Sequence, residues 1–235
     1  MGGALLGERS IPAVQLSARL RGVSPPVTRR LRVAEQTSLA ELHAALQVAF
    51  GWSDGHLYTF QIRGWQFGDP ARAIELTLAG GGVDIPLMAF SFEIGEPFLY
   101  QYNLFIPWEI DCRIEARGLI PAARPVTCEA ARGDPPDEDL AGPAAYPQWR
   151  MDSDPAWVLY QIEELLEEGC NDAHFRAEAC EIFTQARSRA PTRRAIAERL
   201  QQLRTAHRGS DRSEPRGSEG HGRRCTACDG RGPGS

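Results

Sequence analysis

Apolar and polar residues alternate near the start of the chain as they do in strands with one buried face. Val14, Leu16, Ala18 and Leu20 occupy every second position, and the residues between them are polar. A period of two places the apolar set on one side of a strand. Residues 22–26 contain Gly22 and two prolines and predict a turn, after which residues 27–33 return as a second strand.

The next segment has the spacing of a helix with defined ends. Ser38 precedes an apolar stripe, and Glu41 stands three residues later, which is the pattern of a capping box. The stripe consists of Leu39, Leu42, Leu46 and Phe50. Gly51 supplies the left-handed residue that ends a helix. His43 is expected at the edge of this stripe.

Strand patterns continue after the helix. Residues 57–62 alternate as a strand, residues 64–70 predict a turn, and residues 73–78 predict another strand that ends at three glycines. Residues 98–103 and 108–115 alternate on both sides of a short loop and predict an antiparallel hairpin. Residues 118–149 contain six prolines and a cluster of acids, and they predict a long irregular connection without regular elements.

The C-terminal part has helical patterns. Asp154 followed by Pro155 predicts a helix start, and Gly169 predicts its end. A third helix is predicted from Asp172 to Pro191, and a fourth from Thr192. Residues 209–235 are rich in Gly, Ser and Arg and are expected to be disordered, because they contain too few apolar side chains to offset chain entropy.

These patterns predict an α+β fold, in which an antiparallel or mixed sheet is packed by one central helix and followed by C-terminal helices and a disordered tail. The expected division is a domain at residues 11–190, a basic helix at 191–208 and the tail at 209–235. At 235 residues with 42% hydrophobic content, the chain can bury a core.

The chain shows no membrane span and no signal peptide, because no apolar run approaches about 18 residues and the N-terminus lacks a basic region before an apolar stretch. The cytoplasm is therefore the expected location. Six cysteines at irregular spacing are typical of free thiols in a protein with its own core.

Charge is distributed unevenly. All 26 basic residues are Arg, which a GC-rich coding sequence explains more simply than phosphate binding does. Residues 187–235 hold 12 Arg and 5 acids, a net charge near +7, whereas residues 1–186 hold 14 Arg and 26 acids, near −12. The basic part is a candidate arm for weak nonspecific contact with nucleic acid phosphates, and a solvated tail is the alternative. Its candidate residues are Arg187, Arg189, Arg193, Arg194, Arg204 and Arg208.

Several motifs resemble those of the plasmid pRiA4b ORF-3-like family, whose members are found on plasmids, transposable elements and bacterial chromosomes. Residues 20–30 are similar to its L-x-G-x-x-P-P-x-x-R-R motif, and residues 39–60 to its L-x-x-L-H helix followed by G-W-x-D-x-H-L-x-x-F. Its aromatic hairpin and its proline-rich loop are matched by Tyr100, Tyr102, Trp108, Cys128, Pro135, Pro136, Asp139, Gly142, Pro143 and Tyr146.

The chain departs from the family at polar positions of the hairpin. The family's Asp, Gly, Asp and His are here Asn103, Phe105, Ile106 and Ile110, and two loop cysteines are Asp134 and Leu140. The resemblance brings no catalytic residues. It implies a divergent member that keeps the fold-forming positions.

Trp52, Asp54 and His56 form a candidate polar corner between the helix and the next strand. Asp54 could orient His56 as in an acid–base pair, which would support a hydrolase or nuclease-like enzyme. The alternative is a turn begun by Asp54 with a histidine that is hydrogen-bonded to the backbone. The departures in the hairpin favour this alternative, because they remove polar groups that a catalytic site would need.

The tail contains Cys225 and Cys228 in a C-x-x-C-x-G-x-G unit, with His221 nearby. These are at most three ligands where structural zinc takes four, so a free end is favoured over a metal site within one chain, and a zinc ion shared between two chains is the alternative. No cofactor is expected. The sequence favours a noncatalytic binding or accessory protein of the mobile-element type, with an uncharacterised enzyme as the alternative.

Overall fold

One antiparallel sheet dominates the part of the protein that the computed structural model describes, which is residues 9–68, 82–167 and 192–210 together with Ala177 and Cys180. Within these residues the sheet has seven strands in the order β4, β3, β5, β6, β1, β2, β7. They are β1 (Ser10–Leu20), β2 (Thr28–Ala34), β3 (Tyr58–Ile62), β4 (Trp65–Gly68), β5 (Pro97–Tyr102), β6 (Trp108–Pro121) and β7 (Val126–Arg132).

The N-terminal strands form as their alternation predicts. β1 pairs with β2 through Leu16 opposite Leu31, and on its other side with β6 through Leu16 opposite Ile114. All three of these side chains are fully buried. The opposite face of the sheet carries charged and amide side chains, including the ion pairs of Arg30 with Glu115 and Arg32 with Glu129. One face therefore builds the core and the other faces solvent.

Helix α1 (Leu39–Phe50) packs on the core face of the sheet. The predicted capping box is present, because Ser38 Oγ accepts the Glu41 N–H and the Glu41 carboxylate accepts the Ser38 N–H. Gly51 ends the helix at φ 77°. The predicted apolar stripe is buried, but the expectation that His43 lies at its edge is wrong, since His43 is only 5% exposed.

The predicted hairpin is confirmed. β5 and β6 pair antiparallel with Tyr100 opposite Ile110 and Tyr102 opposite Trp108. These four side chains are fully buried. The central helix and the antiparallel sheet together confirm an α+β fold.

The prediction of an irregular connection at residues 118–149 is wrong over much of its length. β6 continues to Pro121, β7 adds an edge strand beside β2, and a short helix α2 (Tyr146–Asp152) follows a 3-10 helix at Pro143–Ala145. The prolines cluster between these elements, and Pro147 stands in the first turn of α2, where its missing N–H costs no hydrogen bond.

The predicted turn at residues 64–70 also contains a strand. β4 pairs with β3 through Phe67 opposite Phe60. Its four residues are too few to show an alternating pattern. The strand predicted at residues 73–78 lies outside the described residues.

The described C-terminal residues form helices α3 (Pro155–Glu167) and α4 (Arg193–Ser210). Asp154 Oδ1 accepts the Ala156 N–H, which confirms the predicted start of α3. Helix α4 packs on β7 and α1 through Ile196, Leu200 and Leu203. It ends at Ser210, slightly later than residue 208, where the basic helix was predicted to end. Apart from Ala177 and Cys180, which are helical, the helix predicted at residues 172–191 lies outside the described residues, as do residues 211–235.

None of the helices in the described residues is both long enough and apolar enough to cross a membrane.

Candidate functional site

Trp52 follows the left-handed Gly51 and turns into the core. Its ring is 4% exposed and stacks on Tyr102 with ring centroids 5.1 Å apart. Its indole N–H donates to the Pro136 carbonyl at 3.0 Å. Trp52 is therefore part of the hydrophobic core, and its indole N–H holds the loop that follows β7.

Asp54 interacts with His43 of α1. Its carboxylate lies 2.9 Å from Nε2 of His43, while its backbone N–H donates to the side chain of Gln47. Its φ of 64° belongs to the left-handed region, which Asp tolerates better than most residues. The turn after α1 thus folds back onto the helix.

His43 connects Asp54 to the interior. Its Nδ1 lies 2.8 Å from the Tyr100 hydroxyl, which also accepts a hydrogen bond from Gln47 Nε2. Its ring stacks on Tyr58 at 3.5 Å. A carboxylate can only accept, so the Nε2–H of His43 donates to Asp54, and its Nδ1 is then the natural acceptor for the Tyr100 O–H. Burial raises the pKa of Tyr100 well above its usual value, which keeps this donor protonated.

His56 pairs with the loop after β7. Its Nε2 lies 2.8 Å from Asp139 Oδ1, and its backbone N–H donates to the Tyr102 hydroxyl. The Asp139 side chain is 77% exposed. A pair this open to water contributes little to stability.

Glu138 is the centre of this region, although its sequence position gave no sign of the role. Its carboxylate accepts the Ser53 N–H and, at 2.5 Å, the Tyr102 O–H. Its carbonyl oxygen accepts the Trp108 indole N–H at 3.1 Å and the Asn103 amide at 3.5 Å. Burial and the negative Glu138 together raise the pKa of Tyr102, so the phenol remains a donor.

The three predicted corner residues therefore do not converge on one point. Asp54 is bonded to His43, His56 to Asp139, and Trp52 to a carbonyl group. In the described part of the chain, no three His, Cys, Asp or Glu side chains are grouped so that they could hold a metal ion. The arrangement fastens residues 134–142 to the rim of the sheet. We call these residues the acidic loop.

Arg29, the first arginine of the R-R motif, is 1% exposed. Its Nε donates to the Ala49 carbonyl in the last turn of α1, and its Nη1 donates to carbonyls of Thr28, Arg132 and Gly133. Its charge faces the negative end of the helix dipole. Desolvation lowers the pKa of this guanidinium, although its usual value is so high that it stays charged. The R-R motif drew attention to Arg29 in the sequence, but it did not indicate that the Arg29 side chain is buried.

The described part of the predicted arm is the helix α4. Arg193 and Arg194 are exposed in its first turn, and Arg194 pairs with Glu198. The backbone of Arg204 and Arg208 belongs to the same helix. Arg187 and Arg189 lie outside the described residues, as do His221, Cys225 and Cys228 of the tail.

Comparisons with known proteins agree with this fold. The family model described as plasmid pRiA4b ORF-3-like protein matches residues 12–164. Uncharacterized protein y4hQ of Sinorhizobium fredii is 33% identical over 141 residues, which are 58% of this chain and 70% of that protein. The crystal structure of the protein of unknown function MM3350 from Methanosarcina mazei Go1 is similar with a TM-score of 0.52 and 22% identity, over 64% of this chain and 88% of that one. At this identity, the structural similarity shows a shared fold.

Proposed function

Because the chain belongs to the plasmid pRiA4b ORF-3-like family, and because its polar corner residues are all paired within the protein, we propose that it is a noncatalytic binding or accessory protein. The observation that carries this proposal is the pairing of each corner residue with a partner inside the protein. A catalytic acid or base must reach a proton of the substrate. Here Asp54 and His56 are already paired with His43 and Asp139, and Tyr100 is fully buried.

The enzyme alternative uses the same corner and is tested by a screen of the intact protein. Esterase, phosphatase and nuclease substrates should all give background rates, and His56→Ala should leave those rates unchanged. If turnover were present and His56→Ala removed it while the melting temperature stayed the same, the corner would be an active site and the proposal would be wrong.

As the partner, we propose nucleic acid, contacted weakly and without sequence preference by the basic face of α4. Ile196 and Leu200 are buried against the body, which turns Arg193, Arg194 and Arg199 toward solvent. Two basic residues in the first turn of a helix oppose its dipole, so a bound phosphate would relieve an unfavourable arrangement. The net charge of residues 1–186, near −12, repels the same polyanion within a Debye length of about 8 Å at physiological salt. Binding should therefore be confined to low ionic strength, and a cytoplasmic location would give access to this partner.

Fluorescence anisotropy with a random DNA duplex across a salt series tests the partner. Each phosphate contact contributes about 0.9 to the slope of log affinity against log salt, so Arg193→Gln with Arg194→Gln should lower the slope by roughly 1.8. Arg19→Gln with Arg113→Gln removes the same charge from the sheet face and is the matched control. If the control lowered the slope as much, or if the intact protein did not bind at low salt, α4 would not be a nucleic acid arm.

A further inference from the structure

A groove separate from the polar corner lies between α1, α4 and the start of β7. Its inner chamber has a volume of about 110 Å³ and is lined mainly by apolar side chains, among them Ala44, Ala45, Val126, Leu200 and Leu203. Interiors normally pack without such spaces. The space exists because α1 presents two alanines where it faces the leucines of α4.

An outer, more polar chamber of about 360 Å³ adjoins the inner one, because Thr37, Glu41 and Pro125 line both. Glu41 is exposed at the junction, and Arg9 and Gln36 line the outer chamber. The Arg9 carbonyl accepts the Ala122 N–H at 2.7 Å, which fixes the Arg9 backbone beside the end of β6. An apolar chamber beside residues of opposite charge, Glu41 and Arg9, has the general character of a small-molecule site.

We propose that this groove binds a free α-amino acid with a branched aliphatic side chain, such as leucine. The side chain enters the inner chamber, the ammonium group pairs with Glu41, and the carboxylate pairs with Arg9. The size of the chamber supports an aliphatic side chain of about four carbons, since an engineered apolar cavity of about 150 Å³ accommodates benzene and this one is smaller. Opposite charges at the mouth distinguish a zwitterion from a fatty acid or an amine.

Glu41 can hold an ammonium group without losing its structural role. Its Oε2 accepts the Ser38 N–H in the capping box at 2.8 Å, and a carboxylate has further acceptor sites on both oxygens. Gln also serves at this capping-box position, so Glu41→Gln removes the charge and keeps the cap. The proposal is independent of nucleic acid binding, because the groove includes neither the corner residues nor Arg193 and Arg194.

Isothermal titration calorimetry of the full chain with L-leucine tests the site. We expect saturable binding at one site. 4-Methylpentanoic acid lacks the ammonium group, isoamylamine lacks the carboxylate, and glycine lacks the side chain, so each should bind at least about tenfold more weakly. L-phenylalanine should also bind more weakly, because its ring exceeds the inner chamber.

Variants locate the binding. Ala44→Leu fills the inner chamber with a residue of good helix propensity and should abolish leucine binding, whereas Ala156→Leu on the exposed start of α3 should not affect it. Glu41→Gln and Arg9→Gln should each weaken binding about tenfold or more, while Glu163→Gln, an exposed carboxylate of α3, should leave it unchanged.

The proposal is overturned if leucine gives no saturable binding below about 10 mM. It is equally overturned if isoamylamine or 4-methylpentanoic acid binds as tightly as leucine, or if Glu41→Gln, folded by its melting temperature, binds leucine like the unaltered protein.

Discussion

Two adjacent arginines show how much the surroundings of a residue decide its role. Arg29 is buried against four carbonyl oxygens and lies 5.3 Å from the centre of the Phe50 ring, while Arg30 pairs with Glu115 on the exposed face. They alternate sides because they follow each other in β2. Helix α1 has no basic residue in its own last turn, so Arg29 supplies that charge from the sheet.

Arg29→Ala should destabilise the protein by about 3 kcal/mol or more, because it removes a buried charge-assisted hydrogen bond to the Ala49 carbonyl and three partly buried ones. Arg30→Ala removes an exposed ion pair and should change stability much less. Urea denaturation of both variants measures the difference. Equal shifts in the unfolding midpoint would show that the buried hydrogen bonds of Arg29 contribute little.

The sequence predicts helices and strands best where one face of the element is buried and the other is exposed to solvent. The periodicity of β1, β2, β5 and β6 predicted their faces, and Ser38, Glu41 and Gly51 predicted the bounds of α1. It failed for β7, an edge strand in which Cys128 alone is fully buried, because partial exposure of the other residues erases the alternation. It also failed for the four-residue β4.

The candidate site was predictable only in part, because the partners of its residues are distant in sequence. Trp52, Asp54 and His56 share a turn and were visible together, but their partners come from elsewhere in the chain. His43 lies 11 residues before Asp54, on α1, and Glu138 and Asp139 are more than 80 residues later. Local patterns carry no information on such pairings, which depend on the register of the whole sheet.

The two buried tyrosines of β5 predict a dependence of stability on alkaline pH. Burial raises the pKa of Tyr100 and Tyr102 in the folded protein, whereas the unfolded chain releases these protons near pH 10. The folded state then binds more protons than the unfolded state. Stability is therefore complete below pH 10 and falls as the pH rises above it, at about 1.4 kcal/mol per pH unit for a group such as Tyr100.

Unfolding free energies measured between pH 8 and 11.5 would check this dependence. Tyr100→Phe should make the decline shallower, although it also lowers stability at neutral pH by removing the bond to His43. Tyr160→Phe alters an exposed tyrosine of α3 and is the control. If the unfolding free energy of Tyr100→Phe fell as steeply with pH as that of the unaltered protein, Tyr100 would not be a cause of the decline.

The acidic loop closes the sheet along one rim. It leaves β7 at one edge and reaches the beginning of β6, the end of β5 and the turn before β3, through Trp108, Tyr102 and Ser53. Tyr146 continues the attachment by donating to the Asp134 carbonyl at 2.8 Å. The residues that most resemble a catalytic cluster thus join distant parts of the fold.

Hydrogen exchange of the acidic loop tests whether these residues join the loop to the sheet. Glu138→Ala removes the acceptor of the Ser53 N–H and the Tyr102 O–H, a loss of about 1.5 to 3 kcal/mol, so amides of residues 134–142 should exchange roughly 10 to 100 times faster. β1 and β6 should keep their protection, and the control Glu129→Ala, which removes a carboxylate from the exposed face of β7, should leave the loop unchanged. Unaltered exchange of residues 134–142 in Glu138→Ala would contradict this role, because the Glu138 carboxylate would then not be what holds the loop.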